Sequence, residues 1–199
     1  MKINAKKFHK MISPIIILIL SCLWCWRYYS INKQFDTLTN ITNEEYKIGD
    51  QVFFENDYIE YRQNANGYWL RVDDFEIIDC RSYFGSHSFD EPKQPELLAF
   101  VYVTLGNDSN TTDEIILTEF ILHSINANMY VSWDMLIWGN PILDGHYGIR
   151  LPIEETCSLV LPFYLYRDNF NSRDWNNINK CELFLQITSY PTIKNIVVQ

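Results

Sequence analysis

Nine consecutive residues, Leu97–Leu105, read LLAFVYVTL without a single charge. A run this short and this apolar, set between polar segments, reads as a central β-strand. The rest of the chain from residue 49 repeats the theme. Short apolar stretches alternate with turn residues, and none sustains a 3.6-residue period. Gln51–Phe54 and Asp57–Arg62 are short candidates, followed by an Asn64-Ala65-Asn66-Gly67 turn. In Tyr68–Asp79, residues Tyr68, Leu70 and Val72 alternate, and Phe75 and Ile77 alternate on the other register. The slip at Asp73-Asp74 is what a β-bulge produces.

Residues 80–96 contain Gly, Ser, His and two prolines and read as a loop or a short helical turn. Gly106–Glu114 reads as a polar hairpin loop, with Ile115–His123 as the partner strand of Leu97–Leu105. Met129–Trp133 follows a turn at Asn126-Ala127-Asn128. Met135–Gly148 looks irregular, and Arg150–Pro152 is a short candidate. Thr156–Tyr166 is a strong strand that Pro162 assigns to an edge or a bulge. Asp168–Asn179 reads as a loop, and Cys181–Ser189 and Ile193–Val198 as the last strands. Seven to nine strands at this spacing predict an all-β sandwich.

The N-terminus has a different character. Lysines at positions 2, 6, 7 and 10 precede Met11–Trp26, an uncharged run of sixteen residues. Sixteen helical residues span about 24 Å, a little short of the ~30 Å hydrocarbon core. Phe8, Trp24, Trp26, Tyr28 and Tyr29 extend the run with residues suited to a membrane interface. The run therefore predicts a single-pass cell-membrane anchor, with its lysines cytoplasmic and residues 30–199 extracytoplasmic. Two alternatives stand beside it. In a lipoprotein signal, Cys22 would carry the lipid, although Leu20 is large for that site. A plain secretory signal lacks an Ala-x-Ala-like site. The implied organisation is a basic flank and anchor over residues 1–29, a tether over 30–48, and a sandwich domain over 49–199.

Charge narrows the partners. Six bases and no acid lie in residues 1–33, which leaves ten bases and all 25 acids in residues 34–199, a net of −15. Such a domain disfavours nucleic acid and anionic lipid surfaces. A cationic partner or a divalent metal is compatible, and solubility alone is the competing account of the acidity. The overall composition, 47% hydrophobic and 21% charged, is that of a globular protein and excludes a disordered tail or a polytopic membrane protein.

Motifs for chemistry are few. There is no phosphate loop, nucleophile elbow or zincin helix, so no catalytic residue and no cofactor is expected. His9 falls in the basic flank and His87 in a loop. Cys22 and Cys25 form a Cys-x-x-Cys in the apolar run, where a structural or acylated role fits better than redox chemistry. Cys157 and Cys181 could bridge if their strands lie side by side. Asp108, Asn110 and Thr112 alternate, and Glu119 is twelfth from Asp108, which partly matches a calcium loop. Asp113 occupies the sixth position, where glycine makes the turn, so a polar hairpin is the simpler reading.

Tyr130, Trp133, Trp138 and Tyr147 cluster in the irregular segment, with Asp134 and Asp144 among them. Trp133, Trp138, Tyr147, Asp134 and Asp144 are the candidate binding residues: aromatics supply contact area and the acids suit a basic partner. Capping of the sandwich core is the competing role for the same rings.

Several pieces carry a resemblance. They are Asn66-Gly67-Tyr68 opening a bulged strand, Leu98–Asn107, Leu117–Leu122, Gly139-Asn140-Pro141, Gly145–Gly148 and Leu161-Pro162-Phe163. Over about residues 46–190 the order of these pieces resembles a family of membrane-anchored or lipoprotein-like exported proteins of Gram-positive bacteria. More loosely it is similar to the telokin-like, immunoglobulin-type extracellular sandwiches. The resemblance implies an immunoglobulin-like fold and an extracytoplasmic address, and no activity. The function expected is a protein-binding or envelope accessory module. An extracytoplasmic hydrolase with a scattered site and a calcium-binding surface domain are the alternatives.

Overall fold

The computed structural model describes residues 19–29, 41–59, 65–84, 95–111 and 114–199. It contains two units, residues 1–41 and 42–199. In the first, residues 19–29 form helix α1 with exposed side chains, and Trp24 stacks on Tyr28 one turn away, at 5.5 Å between ring centroids. No helix among the described residues is long and apolar enough to cross a membrane. The lysine flank, the first eight residues of the apolar run and residues 30–40 of the expected tether lie outside the described residues.

The second unit is mostly β. Its strands are β1 (Thr42–Lys47), β2 (Val52–Phe53), β3 (Tyr68–Asp79), β4 (Leu97–Asn107), β5 (Ile115–Ile116), β6 (Ile121–His123), β7 (Asn128–Tyr130), β8 (Gly148–Ile149), β9 (Glu155–Leu165), β10 (Phe184–Gln186) and β11 (Thr192–Val197). Three short helices accompany them: α2 (Cys80–Phe84), α3 (Trp133–Gly139) and α4 (Ser172–Asn176). One sheet has the order β1-β11-β10-β6-β7, the second β2-β3-β4-β9, and β5 pairs with β8 alone. Hairpins join β3 to β4, β6 to β7 and β10 to β11. The connections β1–β2, β4–β6, β7–β9 and β9–β10 pass between the sheets, as in a sandwich. Among the described residues there are eleven strands against the seven to nine expected, because six are only two or three residues long.

Alternation explains the core. Ala99, Val101, Val103 and Leu105 of β4 point inward with Leu70 and Val72 of β3 and Leu159, Leu161 and Phe163 of β9. From the other sheet come Leu122, Met129, Leu185 and Ile196. The outward residues Leu98 and Phe100 are buried as well, in a second cluster with Cys80 of α2 and Met135 of α3. Burial of the inward face, and of Leu98 and Phe100 on the outer one, leaves the run without a charge, while half-buried Tyr102 and Thr104 turn hydroxyls outward. The slip in β3 is a bulge between Val72 and Asp74. Asp73, the extra residue, accepts from Arg71 Nε at 2.6 Å and from Thr104 Oγ1 at 2.6 Å.

Four expectations need correcting. Gly106–Glu114 is no hairpin loop: β4 pairs with β3 and β9, and the chain crosses to the other sheet before β6. Ile115–His123 is broken by a turn of 3-10 helix at Leu117–Glu119. Thr42–Lys47 forms β1, paired in parallel with β11, where the pattern predicts tether; its side chains are largely exposed, so it carries no apolar signal. Cys157 and Cys181 lie on or beside strands of different sheets, and both are free thiols.

A buried lysine also binds the two sheets together. Lys194 of β11 takes an inward position and is 1% exposed. Its ammonium donates to the Phe53 carbonyl at 2.7 Å and to Glu55 at 2.8 Å, and lies 2.8 Å from Asp57 Oδ2. Burial opposes the charge, but the carboxylates of Asp57 and Glu55 outweigh it and hold the Lys194 pKa above its ordinary value.

Candidate functional site: an aromatic surface around α3

Helix α3 follows Ser132, whose backbone N–H donates to the Pro162 carbonyl at 2.8 Å. The helix is thereby tied to β9. Met135 and Leu136 face the protein, and Trp133, Asp134 and Trp138 face outward. Positions 134 and 138 are four apart and share one side of the helix. Pro141 cannot continue the helix, and Asn140 before it leaves the helical region at φ −130° and ψ 78°. A 3-10 turn, Pro141–Leu143, then leads into Asp144 and Gly145, both left-handed, at φ 48° and 82°. That reversal returns Tyr147 to Trp133, with ring centroids 5.1 Å apart.

The exposures decide between core and surface. Trp133 is 59% exposed, Trp138 64% and Tyr147 41%. These rings do not cap the core. Asp134 and Asp144 are exposed too. The structure thus brings Trp133 and Tyr147 into contact and sets Trp138, five residues further along the helix, against Tyr83 of α2 at 6.3 Å, edge to face. Ile142, in the 3-10 turn that follows α3, is 60% exposed.

A groove of about 360 Å³ opens beside Trp133, lined also by Tyr130, Tyr164, Tyr166, Asn128 and Asn169. It lies where β7 and β9 approach, next to the bridge between Val131 and Phe163. Burial raises the pKa of the Tyr164 phenol, a hydrogen bond with Ser132 works the other way, and the charge of Asp134 adds to the rise. At the C-terminal end of α3, a second groove of about 410 Å³ is lined by Tyr102, Asn140, Ile142 and Ser158. There Tyr102 bonds Glu76, and that bond, with burial second, pushes the phenol up to about 12.

Exposed Tyr83 and half-buried Tyr164 and Tyr166 are residues that the sequence pattern did not single out. The signal for two of them was available: Tyr164 and Tyr166 alternate with Phe163 and Leu165, so a period of two puts them on the outer face. Nothing local marks Tyr83.

The calcium-like spacing has a structural explanation. Asn107 is 1% exposed, and its Oδ1 accepts from the N–H groups of Ser109 and Asn110 at 3.1 and 2.7 Å. Its Nδ2 donates to the carbonyls of Asn110 and Leu151. The loop is thus organised around an asparagine side chain. Asp108 Oδ1 accepts from the Trp69 indole at 2.9 Å, and Asn110 Nδ2 donates to the Asn66 carbonyl at 2.7 Å. Glu119 sits in the 3-10 turn after β5. Among the described residues, no three His, Cys, Asp or Glu side chains gather as a metal-holding group. Cys22 is exposed on α1, and His87 lies outside the described residues.

Fold and surface together define a β-rich, two-sheet domain with an exposed aromatic helix. The family model of a domain of unknown function, DUF5028, matches residues 43–194, and the chain belongs to that family. The match begins inside β1 and ends at Lys194 of β11, so it takes in the edge strand that the sequence pattern leaves in the tether. No curated protein and no solved structure matches the chain.

Proposed function

We propose that this protein is a membrane-anchored, extracytoplasmic sandwich of immunoglobulin type that uses the face around α3 to bind another protein. The observation that carries the reading is the exposure of Trp133, Trp138 and Tyr147, together with Ile142, on one short segment. Large aromatic groups held open to water on a rigid scaffold cost solvation and are the usual anchors of an interface. Asp134 and Asp144 among them, in residues 34–199 with their net charge of −15, favour a partner with a basic surface. The anchor rests on the charge-free run Met11–Trp26 behind its lysines. The immunoglobulin likeness is supported by an edge strand, β1, that runs parallel to the last strand in an otherwise antiparallel sandwich.

Mild crosslinking on intact cells, with the captured protein identified by mass, tests the binding reading. Trp138→Ala and Tyr147→Ala should fold normally and lose the crosslinked partner. Retention of the same partner by both variants sinks the assignment of this face. Fractionation tests the anchor: the intact chain should sediment with membranes, and external protease should release the domain by cutting at residues 30–41. If Cys22→Ala alone frees the protein from the membrane, a lipid on Cys22 replaces the retained helix.

A further inference from the structure

The geometry points to a covalent bond that the chain makes within itself: an amide linking Lys194 Nζ to the side-chain carboxyl of Asp57, with Glu55 as proton carrier. Both partners are removed from water, Lys194 at 1% and Asp57 at 3% exposure. The nitrogen stands 2.8 Å from Asp57 Oδ2. That oxygen is buried and accepts no hydrogen bond of good geometry, so it faces the nitrogen only as an ion-pair contact. The other oxygen, Oδ1, accepts the backbone N–H of Thr192 at 3.1 Å. Donors so placed stabilise the negative oxygen of a tetrahedral intermediate.

Glu55 supplies the remaining part. Its Oε2 lies 2.8 Å from Nζ, and it adopts φ 54°, a left-handed conformation that a residue with a Cβ enters at a cost. Strained backbone of this kind at a cluster of charged groups motivates a functional hypothesis. Glu55 is largely exposed, so it can exchange protons with water while reaching the buried amine. The Phe53 carbonyl, 2.7 Å from Nζ, holds the nitrogen in place.

The step balances without a co-reactant. The resting pair is ammonium and carboxylate. Transfer of one ammonium proton to Asp57 Oδ2 gives amine and carboxylic acid, a neutral pair that a dry site penalises less than bulk water would. The nitrogen lone pair then forms a bond to Asp57 Cγ. Glu55 takes a second proton from the nitrogen and passes it to Oδ2. The Cγ–Oδ2 bond breaks, Oδ2 leaves as water, and Glu55 is unchanged. Holding amine and acid in contact replaces the bimolecular encounter that makes such condensation slow in solution. The product would tie the segment after β2 to β11 and so staple one sheet to the other.

The test is the mass of the purified full chain. We expect a mass about 18 Da below that of the sequence, one water lost. A tryptic digest should yield one branched peptide containing both Asp57 and Lys194. Glu55→Gln and Lys194→Met, with folding checked by circular dichroism, should each show the full mass of their own sequence. A wild-type chain at full mass, with Asp57 and Lys194 in separate unmodified peptides, overturns the proposal and leaves a plain ion pair. So does a lost water without the branched peptide, as from a cyclic imide at Asp57. Loss of water that persists in Lys194→Met overturns it equally.

Discussion

The side-chain amide of Asn140 pairs with both backbone polar groups of Val160. Its Nδ2 donates to the Val160 carbonyl at 2.8 Å, and its Oδ1 accepts the Val160 N–H at 2.7 Å. Nδ2 also donates to the Leu136 carbonyl at 2.7 Å, which satisfies an orphan group near the end of α3. Val160 belongs to β9, an edge strand of its sheet. One buried asparagine thus does for a single residue what a further strand would do for the whole edge, and it fixes the aromatic helix to that edge.

Asn140→Ala should leave the polar groups of Val160 without partners. The expected cost is about 1–3 kcal/mol. For a domain of roughly 150 residues that lowers the melting temperature by several degrees. Asn140→Asp should cost at least as much, because a carboxylate cannot donate to the two carbonyls. Thermal melts of both variants check this. An unchanged melting temperature in both would remove the clamp from the account.

The outward and inward sides of α3 should separate cleanly in denaturant. Leu136 is fully buried, and Leu136→Ala should cost about 2–5 kcal/mol. Trp138→Ala removes an exposed ring with one edge contact, so about 1 kcal/mol or less is expected. Urea midpoints compare the two directly. If Trp138→Ala proves as costly as Leu136→Ala, its ring is part of the core and the surface reading falls.

Gly106 makes room for an indole. A Cβ built on it would lie 2.3 Å from the Trp69 ring. Trp69 and Gly106 are register partners of β3 and β4, and the indole N–H reaches on to Asp108 at 2.9 Å. Gly106→Ala should displace the ring and break that bond, destabilising by about 1–3 kcal/mol. Trp69 fluorescence adds to that of the other tryptophans, so the variant is read by its melting curve together with Asp108→Ala. A mild effect of Asp108→Ala beside a large effect of Gly106→Ala is the expected pair.

What the sequence made legible follows the range over which each signal acts. The bulge at Asp73 is a slip of one residue in a period of two, and it shows in Tyr68–Asp79 alone. The central place of Leu97–Leu105 shows because burial on both faces removes every charge from the run. Partners do not show: whether β4 pairs with Ile115–His123 or with β9 depends on where the chain crosses between sheets, and no local pattern encodes that. β1 gives no sign because an exposed edge strand such as TNEEYK needs no apolar face. The surface cluster is half legible. Trp133, Trp138 and Tyr147 stand close in sequence, whereas Tyr83 and Tyr164 join them only through the fold. The Lys194–Asp57–Glu55 group was invisible, since a lysine in an inward position of β11 contradicts the expectation that inward residues are apolar.

Thiol chemistry offers a test of the fold that needs no mutant. Burial pushes Cys80 and Cys157 up to about 11, from an ordinary thiol near 9, with a small further rise at Cys80 from the Asp79 charge. Cys181 is raised in the same direction and is only partly buried. At pH 8, an alkylating reagent should label Cys181 first among the three thiols of the domain. Cys80 and Cys157 should react only when the domain unfolds. The stability consequence has a definite sign. A folded-state pKa above the unfolded value means that the folded chain holds its proton longer, so the contribution is complete below pH 9. It is then lost as the pH rises through about 11. Mass spectrometry of the labelled sites over time checks the order, and melts between pH 8 and pH 11 check the sign. Fast labelling of Cys157 in the folded chain at pH 8 would mean that the inner face of β9 is open to water, and the packing of the two sheets would have to be redrawn.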